Sequence, residues 1–343
     1  MTLMGASDLE SFAAELLTAG GFRAEHAADT ARVLVWADAR GTASHGVLRI
    51  PRYVEMVREG RINPDGELVT EINTGVVRVL NANSMPGATA MSSAVAHAMK
   101  TARDGGLGWC SVKNITHAGA IGFYAQQASD NNMIAIVLSA SGPLMAYHGA
   151  RVAGLSTNPV SISVPAGNEP LLLDMSTSTV ALGKILHARD AKSPVPADWG
   201  LDENGAPTTD PGAVKTLTPL GGPKGSGLSL MIEVLASVLV ANPVISEALN
   251  GRKAAMNGAA LVLDVARFTD QHVFAEQIRE LVTSIRALPT AQEATQILMP
   301  GERGFALSRQ RLSKGIPVAV GTMERLRNLA ANLGVPEPST IQN

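Results

Sequence analysis

The sequence predicts an α/β fold in which a mixed sheet is covered by helices and preceded by a helical N-terminal region. From about residue 74 onward, short runs of β-branched residues alternate with helical stretches, which is typical of a sheet covered by helices. The first part of the chain is instead dominated by helical segments rich in Ala and Leu. No G-x-G-x-x-G motif follows a first strand, so an ordinary Rossmann fold is not expected.

The N-terminal region, residues 1–73, is expected to contain three helices. "SDLESFAAELLTAG" offers Ser7 or Asp8 as the N-cap and a glycine as the stop, and "RAEHAADTARVLVWADARG" supplies the second helix. A short third helix is expected to run from Pro51 through "RYVEMVREG", because proline suits a first helical turn and Gly60 suits a stop.

Residues 74–320 are expected to form the α/β part of the chain. The predicted strands are 75–80, 108–114, 133–139, 160–165, 170–175 and the segment "AALVLDVARF". The predicted helices are 88–104, 119–129, 178–189, "SGLSLMIEVLASVLVAN" and "FTDQHVFAEQIRELVTSIRA". Residues 190–224 are rich in Pro, Gly, Asp and Thr, so we expect a long and therefore functional loop region there.

The end of the chain is expected to return to the N-terminal region. From residue 321 the segment "GTMERLRNLAANLGV" predicts an amphipathic helix. We therefore expect residues 321–343 to form a C-terminal helix and tail that pack with residues 1–73.

Composition and charge exclude several classes of function. Hydrophobic residues make up 45% of the chain and charged residues 17%, which suits a folded enzyme and not a disordered protein. The net charge is −2 and the basic residues are dispersed, so nucleic acid is not an expected partner. Cys110 is the only cysteine, which excludes an internal disulfide and a multi-cysteine metal site, and no other metal-ligand spacing is present.

We expect a cytoplasmic protein without a membrane partner. The first residues lack both the basic and the continuous apolar parts of a secretory signal. The most apolar stretch, 227–241, is too short to span a bilayer and carries Glu233, so a buried helix is the better prediction.

The segment "TASHGVLRIPRY", residues 42–53, holds the first candidate site. His45 can act as a general acid, Ser44 can orient its ring, and Arg49 can bind a carboxylate through two parallel hydrogen bonds. His45 and Arg49 would share a face if the segment were helical, a condition that Pro51 puts in doubt. The alternative is that Ser44 caps a helix while His45 and Arg49 are ordinary surface residues.

Other candidate residues lie at strand ends and in a glycine-rich segment. His117 follows a strand and can face a cofactor or substrate, or cap a helix. Asp174 can contact a ribose or cap a helix, and Asp190 can orient an imidazole or cap a loop. In "PLGGPKGSGLSLM", Lys224 and Gly225 precede an apolar helix, which suits either a pyrophosphate cradle or a simple turn.

Seven segments together resemble the type 2 malate/L-lactate dehydrogenase family, which includes ureidoglycolate dehydrogenase, diketogulonate reductase and the Δ1-piperideine-2-carboxylate reductases. The resemblance covers roughly residues 8–336. The segments, in chain order, are "DARGTASHGVLRIPRYVEMVREGRINPDG", "THAGAIGFYA", "STNPVSISVP", "LLLDMSTSTVALGKI", "DWGLDENGAPTTDP", "PLGGPKGSGLSLMIEVL" and "MPGERGFALSRQRLSKGIPV".

The resemblance implies a non-Rossmann nicotinamide-binding fold and a homodimer with its active site near the interface. It implies hydride transfer between NAD or NADP and C2 of a small 2-oxo or 2-hydroxy acid, as in a dehydrogenase, or of a cyclic imine acid, as in a ketimine reductase. The implied catalytic residues are Ser44, His45 and Asp190. The implied substrate-binding residues are Arg49, His117 and Thr157. The implied cofactor-binding residues, in the α/β part 74–320, are His117, Ser141, Asp174, Met175, Ser176, Lys224, Gly225, Gly301, Glu302 and Arg303.

Two departures from the family pattern bear on the substrate. Ser156 stands in "STNP" where many relatives have glycine, and Ala140 stands where asparagine is common. Met145 and His148 are expected to line a side-chain pocket, which favours a substrate other than plain malate and makes an imine acid a contender. A catalytically silent dimer that still binds the cofactor remains the alternative from another class.

Overall fold

A computed structural model describes residues 1–253, 255–292 and 295–338, arranged around three sheets. The strands are β1 (Thr2–Met4), β2 (Val69–Asn73), β3 (Val77–Asn81), β4 (Leu107–Ile115), β5 (Met133–Ala140), β6 (Met145–Ala146), β7 (Ala153–Leu155), β8 (Val160–Val164), β9 (Leu171–Met175), β10 (Gly200–Leu201), β11 (Thr216–Leu217), β12 (Met256–Asp264) and β13 (Ile316–Val318). The α-helices are α1 (Ala6–Ala19), α2 (Ala24–Ala39), α3 (Ile50–Arg58), α4 (Gly87–Gly105), α5 (Gly122–Ser129), α6 (Leu182–Asp190), α7 (Pro223–Ala236), α8 (Ile245–Leu249), α9 (Gln271–Arg286), α10 (Glu302–Lys314) and α11 (Val320–Leu333).

The predicted mixed sheet covered by helices is confirmed. Seven strands follow the order β2-β3-β4-β12-β5-β8-β9, in which β3 and β4 run parallel and the other neighbours run antiparallel. Helices α4 and α5 pack on one face, where the largest apolar core lies. Helix α7 contacts β5, β12 and β4, and a smaller apolar cluster lies between this helix and the sheet.

A second apolar core joins the two ends of the chain. Helices α1, α2 and α3 pack around side chains such as Leu16, Leu34 and Tyr53, and α11 adds Leu326 to the same core. Strand β1 pairs with β13 in an antiparallel two-stranded sheet, which ties the N-terminus to the segment before α11. The segment that carries Ser44, His45 and Arg49 therefore lies against this buried apolar core.

Several elements differ from the sequence predictions. The helix predicted at 119–129 begins at Gly122, because Gly119 adopts a positive φ of 72° and the residues around it form a loop. The helix predicted at 178–189 begins only at Leu182. Strand β2, at the end of the region expected to be helical, is fully exposed and lacks the burial alternation that would have marked it.

Residues 190–224 are mostly loop, as predicted. They contain one 3-10 turn, Ala197–Trp199, and the two-residue strands β10 and β11. These strands belong to a four-stranded sheet with β6 and β7, over a third apolar cluster.

Within the described part of the chain, the stretch Pro223–Val240 is long and apolar enough to cross a membrane by length and composition alone. The fold argues for a different role. The Glu233 carboxylate, buried in this stretch, accepts backbone hydrogen bonds from Val244 at 2.8 Å and Ile245 at 3.0 Å, and one from the Ser237 hydroxyl at 3.2 Å. Helix α7 thus packs on the sheet by one face, and its carboxylate caps the start of α8.

Candidate active site

The Ser44–His45 pair lies in two short 3-10 turns between α2 and α3. Ala43–His45 forms the first turn and Val47–Arg49 the second, with Gly46 in an extended conformation between them. A continuous α-helix would have placed His45 and Arg49 on one face. The two 3-10 turns do not give that arrangement. Ser44 Oγ lies 2.9 Å from His45 Nδ1, so the hydroxyl and the imidazole form a hydrogen-bonded pair.

A buried carboxylate, Asp38, supports this turn from below. Its Oδ2 accepts a hydrogen bond of 2.8 Å from the backbone N–H of Val47. Gly46 lies so close to the same carboxyl group that a Cβ there would overlap it. Burial raises the pKa of Asp38 to about 7, against lowering contributions from the Val47 hydrogen bond and the Arg311 charge. Asp38 was not predicted from the sequence. The only feature that could have indicated it is an acidic residue at a position of α2 that the helix buries.

Arg49 is held against the same pair. Its Nε donates a hydrogen bond of 2.7 Å to the Ser44 carbonyl oxygen. Among the described residues, its two terminal nitrogens have no protein partner, so a fork of N–H donors remains for an anion. The backbone of Ser44 and the side chain of Arg49 are thereby fixed relative to each other.

The His45 imidazole is half-buried, and its environment disfavours the charged form. Burial, followed by the neighbouring Arg49 charge, lowers the pKa of His45 to about 4. In the free protein at neutral pH, His45 is therefore neutral. A negative charge placed beside Arg49 would offset part of this effect and raise the pKa of His45.

A second imidazole, His117, stacks on the first. The two ring centroids are 5.5 Å apart and the planes differ by 20°. His117 Nδ1 lies 2.6 Å from the Tyr53 hydroxyl and accepts a hydrogen bond of 3.2 Å from the backbone N–H of Gly119. Burial, and then the charges of Arg49 and His45, hold the pKa of His117 well below its usual value. Tyr53 was not singled out from the sequence, because only tertiary packing brings α3 to residue 117.

The structure does not bring Asp190 to this pair. Helix α6 begins against Ser44, since a Cβ on Gly183 would lie 2.6 Å from the Ser44 Cβ. Asp190 is the exposed last residue of that helix, seven residues further on and thus about 10 Å along its axis. The resemblance implied Asp190 as the third catalytic residue with Ser44 and His45, whereas it is the start of α6 that lies next to Ser44.

The candidate cofactor residues fall into two groups along β9, and the first group surrounds a cavity. Asp174, Gly301 and Arg303 line a cavity of about 260 Å³ together with Trp36 and Arg40. The Asp174 carboxylate accepts a hydrogen bond of 3.1 Å from Gly122 N–H, and burial raises its pKa to about 6. This cavity therefore combines guanidinium groups, a buried carboxyl group and an indole ring.

Arg40, which lines this cavity, and Glu302, which lines a different one, are both held by neighbouring groups. The Arg40 guanidinium lies over the Trp36 ring at 4.8 Å and the Phe305 ring at 3.9 Å. The hydrogen-bonding oxygens of the Glu302 carboxylate are both occupied by protein groups. It accepts hydrogen bonds of 2.9 Å from Met299 N–H and from Arg286.

The second group lies where β9 ends and α7 begins. Met175 is the last residue of β9, and Ser176 lies 3.1 Å, oxygen to oxygen, from the Ser178 hydroxyl. Ser141 is hydrogen-bonded to the Ser156 hydroxyl at 2.5 Å. Ser156 does not have a positive φ, so no glycine is needed at that position.

Lys224 and Gly225 begin helix α7, beside the chain that continues from β9. Lys224 is exposed in the first turn of the helix. A Cβ on Gly225 would lie 2.5 Å from the carbonyl oxygen of Thr177, so only glycine allows this approach. Thr177 is in turn joined to Thr157, because its N–H donates a 3.0 Å hydrogen bond to the Thr157 carbonyl oxygen.

The residues expected to line a side-chain pocket are separated. Met145 is fully buried in the apolar cluster beneath the four-stranded sheet, so its expected pocket position was wrong. His148 instead lines a different cavity, of about 440 Å³, with Gly221 and Gly222 at the start of α7. Ala140 is buried at the end of β5.

These residues fit a nicotinamide dinucleotide. Thr177 Oγ1 is buried without a hydrogen-bond partner in the described structure, which suits a polar ligand group at this point. Gly221 and Gly222 have positive φ values of 57° and 62° before α7, so backbone N–H groups and Lys224 can face a pyrophosphate. Among the described residues, no group of three or more His, Cys, Asp or Glu side chains is placed to bind a metal ion.

Comparison with known proteins agrees with this arrangement. The family model for malate/L-lactate dehydrogenase matches residues 4–327. Ureidoglycolate dehydrogenase (NAD+) of Escherichia coli O157:H7 is 35% identical over 308 residues, which are 88% of each chain. The (2R)-3-sulfolactate dehydrogenase (NADP+) of Chromohalobacter salexigens is 30% identical over 333 residues, which are 95% of this chain and 97% of that one.

Solved structures show the same fold. Malate dehydrogenase of Pyrococcus horikoshii OT3 superposes with a TM-score of 0.89 at 30% identity, covering 97% of this chain and 96% of that chain. The Δ1-piperideine-2-carboxylate reductase of Pseudomonas syringae pv. tomato superposes with a TM-score of 0.86 at 27% identity, covering 96% and 100%. The chain therefore belongs to the malate/L-lactate dehydrogenase family of NAD- or NADP-dependent oxidoreductases.

Proposed function

We propose that this protein transfers hydride between NAD or NADP and C2 of a small 2-oxo or 2-hydroxy acid, with His45 as general acid and base and Arg49 as the carboxylate clamp. The observation that carries the proposal is that both groups are held by one residue. The Ser44 hydroxyl bonds the His45 ring, and the Ser44 carbonyl accepts from Arg49 Nε. An acid attached to Arg49 would thus present its neighbouring carbon and oxygen beside His45.

The nicotinamide, when bound, supplies or accepts the hydride. In the direction of reduction, negative charge develops on the substrate oxygen attached to C2, and a protonated His45 would donate its proton there. In the direction of oxidation, neutral His45 would take the hydroxyl proton. Ser44 keeps the imidazole oriented in both directions, because a hydroxyl can donate to or accept from Nδ1.

Substrate binding would prepare His45 for this role. Arg49 is the neighbouring cation that helps to lower the pKa of His45. A substrate carboxylate paired with Arg49 would cancel part of that charge and bring its own negative charge near the imidazole. The acid form of His45 would therefore gain population when the substrate is in place.

We assign the cofactor to the two groups of residues along β9, within the α/β part 74–320. Lys224, Gly225 and the glycine turn before α7 would hold the pyrophosphate, with Ser141, Met175 and Ser176 beside it. Asp174, Gly301 and Arg303 would border another part of the same dinucleotide. Thr157 would lie near the nicotinamide, since it is joined to Thr177 in this group.

Reduction of a cyclic imine acid is a second candidate. It is favoured by the structural likeness to the Pseudomonas syringae Δ1-piperideine-2-carboxylate reductase. Arg49 would again hold the carboxylate. Hydride would add to C2, and the imine nitrogen bonded to C2 would take the place of the oxygen of a 2-oxo acid. In this reaction His45 would act on the imine nitrogen.

We further propose that the active protein is a homodimer formed through α7. Between residues 225 and 240, Glu233 is the only charged residue, and it is turned inward. The outward face of α7 and of the 3-10 turn Val238–Val240 that follows it is apolar, and its exposed side chains are Leu228, Met231, Val234, Leu235, Val238 and Leu239. A face without charge suits a second copy of itself across a twofold axis better than a charged partner.

We also propose a cytoplasmic location and the division of the chain into residues 1–73, 74–320 and 321–343. The buried, unpaired thiol of Cys110 supports a reducing compartment. The core shared by α1, α3 and α11 supports grouping the C-terminal helix with the N-terminal region.

A panel of substrates tests the proposed function. Loss of NADH or NADPH absorbance is followed with pyruvate, oxaloacetate, other 2-oxo acids and the cyclic pyrroline and piperideine 2-carboxylates. Turnover of one class identifies the reaction. If no member is reduced while a cofactor still binds, the proposal fails in favour of a catalytically silent cofactor-binding protein.

A further inference from the structure

We propose that Tyr53 positions the ring of His117 and that the backbone N–H of Gly119 holds this ring in the tautomer protonated at Nε2, so that His117 is a fixed hydrogen-bond donor to a substrate oxygen. The substrate part of this inference rests on the proposed function. The tautomer part rests only on the geometry around His117.

The first step concerns the direction of the hydrogen bonds at His117 Nδ1. Gly119 N–H reaches this atom at 3.2 Å, and a backbone N–H can only donate. Nδ1 must therefore offer its lone pair and carry no proton. The Tyr53 hydroxyl, 2.6 Å from the same atom, then acts as a second donor. The single proton of the neutral ring is left on Nε2, which has no protein partner among the described residues.

The second step is that these two donors are rigidly placed. Tyr53 is only 5% exposed and is packed into the core between α1, α2 and α3. Gly119 has a φ of 72°, in the left-handed region that favours glycine. A Cβ on Gly119 would also lie 2.8 Å from a methyl group of Val33. The ring of His117 is thus aimed by two parts of the chain that are themselves fixed.

The third step is the contrast between the two stacked histidines. The partner of His45 Nδ1 is the Ser44 hydroxyl, which can reverse its role when the ring gains a proton. At His117 Nδ1 the Tyr53 hydroxyl can also reverse its role, but the Gly119 N–H cannot, because a backbone N–H has no acceptor function. A proton on His117 Nδ1 would break the hydrogen bond from Gly119 and place two N–H groups against each other, whereas a proton on His45 breaks none. Proton transfer therefore belongs to His45, and His117 only donates.

The surrounding charges act in the same direction. The Arg49 charge faces His117, as does the charge of His45 when that ring is protonated, and both disfavour a cation on His117. The rings of His45 and His117 are 5.5 Å apart, so the pair accommodates one proton more readily than two. His117 Nε2–H is then a neutral donor directed at the carboxylate or at the oxygen on C2.

The chain offers a matched control for Tyr53. Tyr124 is also fully buried, and its hydroxyl donates to the carbonyl oxygen of Ala118, in the same loop. Tyr53→Phe removes a hydrogen bond to the ring of His117, while Tyr124→Phe removes one to the backbone beside it. A role limited to loop stability would make the two variants behave alike.

The test is a ¹⁵N NMR spectrum of histidine-labelled free protein, with His117 assigned by its loss in a His117→Gln variant. We expect an unprotonated Nδ1 and a protonated Nε2 that do not titrate between pH 5 and 8, and a changed Nδ1 chemical shift, from the lost hydrogen bond, in Tyr53→Phe but not in Tyr124→Phe. A proton on Nδ1 in the wild type, titration in that range, or no difference between the two variants would overturn the proposal. Because this readout needs no substrate, it stands or fails independently of the proposed reaction.

Kinetics then test the donor role. We expect Tyr53→Phe to lower kcat/KM about tenfold, as for the loss of one hydrogen bond, and Tyr124→Phe to change it much less. His117→Gln places an amide donor near the position of Nε2, so it should retain more activity than His117→Asn. Equal loss in the last two variants would argue against donation from Nε2.

Discussion

The Asp38 carboxylate accepts a 2.8 Å hydrogen bond from Val47 N–H, immediately beneath the turn that holds Ser44 and His45. Asp38→Ala would leave that N–H buried without a partner, which costs about 1–3 kcal/mol of stability. We expect kcat to fall as well, because the turn that orients His45 loosens. Urea unfolding and steady-state kinetics measure both effects. Asp38→Asn keeps an oxygen that can accept the Val47 hydrogen bond and serves as the control. If Asp38→Asn lost as much activity as Asp38→Ala, this hydrogen bond would not be what orients the turn.

The same carboxyl group predicts how stability depends on pH. Burial raises the pKa of Asp38 from 3.8 to about 7, so between these values the folded protein holds a proton that the unfolded chain releases. This contribution is fully present below the unfolded pKa and is lost as pH rises through about 7. Unfolding free energies measured from pH 4 to 8 should therefore fall less steeply in Asp38→Asn than in the wild type. Parallel curves would show that Asp38 is ionised throughout.

The pH dependence of turnover should separate free protein from the substrate complex. Burial and Arg49 hold the pKa of His45 at about 4, so kcat/KM for reduction should rise as pH falls below neutral. In the complex, the substrate carboxylate opposes the Arg49 charge, so the pKa seen in kcat should be higher than that seen in kcat/KM. Identical pKa values in the two profiles would contradict the coupling between Arg49 and His45.

Arg49 and Arg52 provide a matched pair for testing the carboxylate clamp. Arg49→Lys loses the fork that binds a carboxylate through two hydrogen bonds, so we expect KM for the acid substrate to rise at least tenfold. Arg52 lies in α3 and pairs with Glu55 and Glu59 at the surface. Arg52→Lys should leave KM unchanged. A similar effect in both variants would mean that charge near α3, and not a specific clamp, attracts the substrate.

The apolar face of α7 predicts the oligomeric state. Met231 on α7 is 51% exposed, and Leu239 in the 3-10 turn that follows α7 is 62% exposed. Met231→Glu and Leu239→Glu should convert a dimer into monomers in sedimentation velocity, because each places a charge in the interface. Leu312→Glu, at a 58% exposed position in α10, is the control. A dimer that survives both Met231→Glu and Leu239→Glu would place the interface elsewhere.

The part of the site that the sequence could predict is the part that is local. Ser44, His45 and Arg49 lie within six residues, so short-range turns bring them together. Their assembly needs no information about distant contacts. The α/β class was equally accessible, because β-branched runs mark buried strands.

The parts that could not be predicted depend on contacts between distant segments. Asp38 supports the turn and Tyr53 holds His117 only because helices pack in a particular way. The pairing of β1 with β13 joins residues more than 300 positions apart. Met145 looked suited to a pocket, yet its side chain fills an apolar core, since composition does not reveal which face of a strand is buried. Asp190 follows the expected helix but sits at the end away from Ser44.

Turnover and cofactor binding of a His45→Ala variant, measured side by side, test the central claim most directly. The fluorescence of tryptophan and of the reduced nicotinamide measures cofactor binding. The loss of reduced-nicotinamide absorbance with the preferred acid measures turnover. If His45 is the proton donor, the variant binds the cofactor as the wild type does while kcat falls by about 10²–10⁴. Near wild-type kcat in His45→Ala would contradict the assignment and move the acid to another residue.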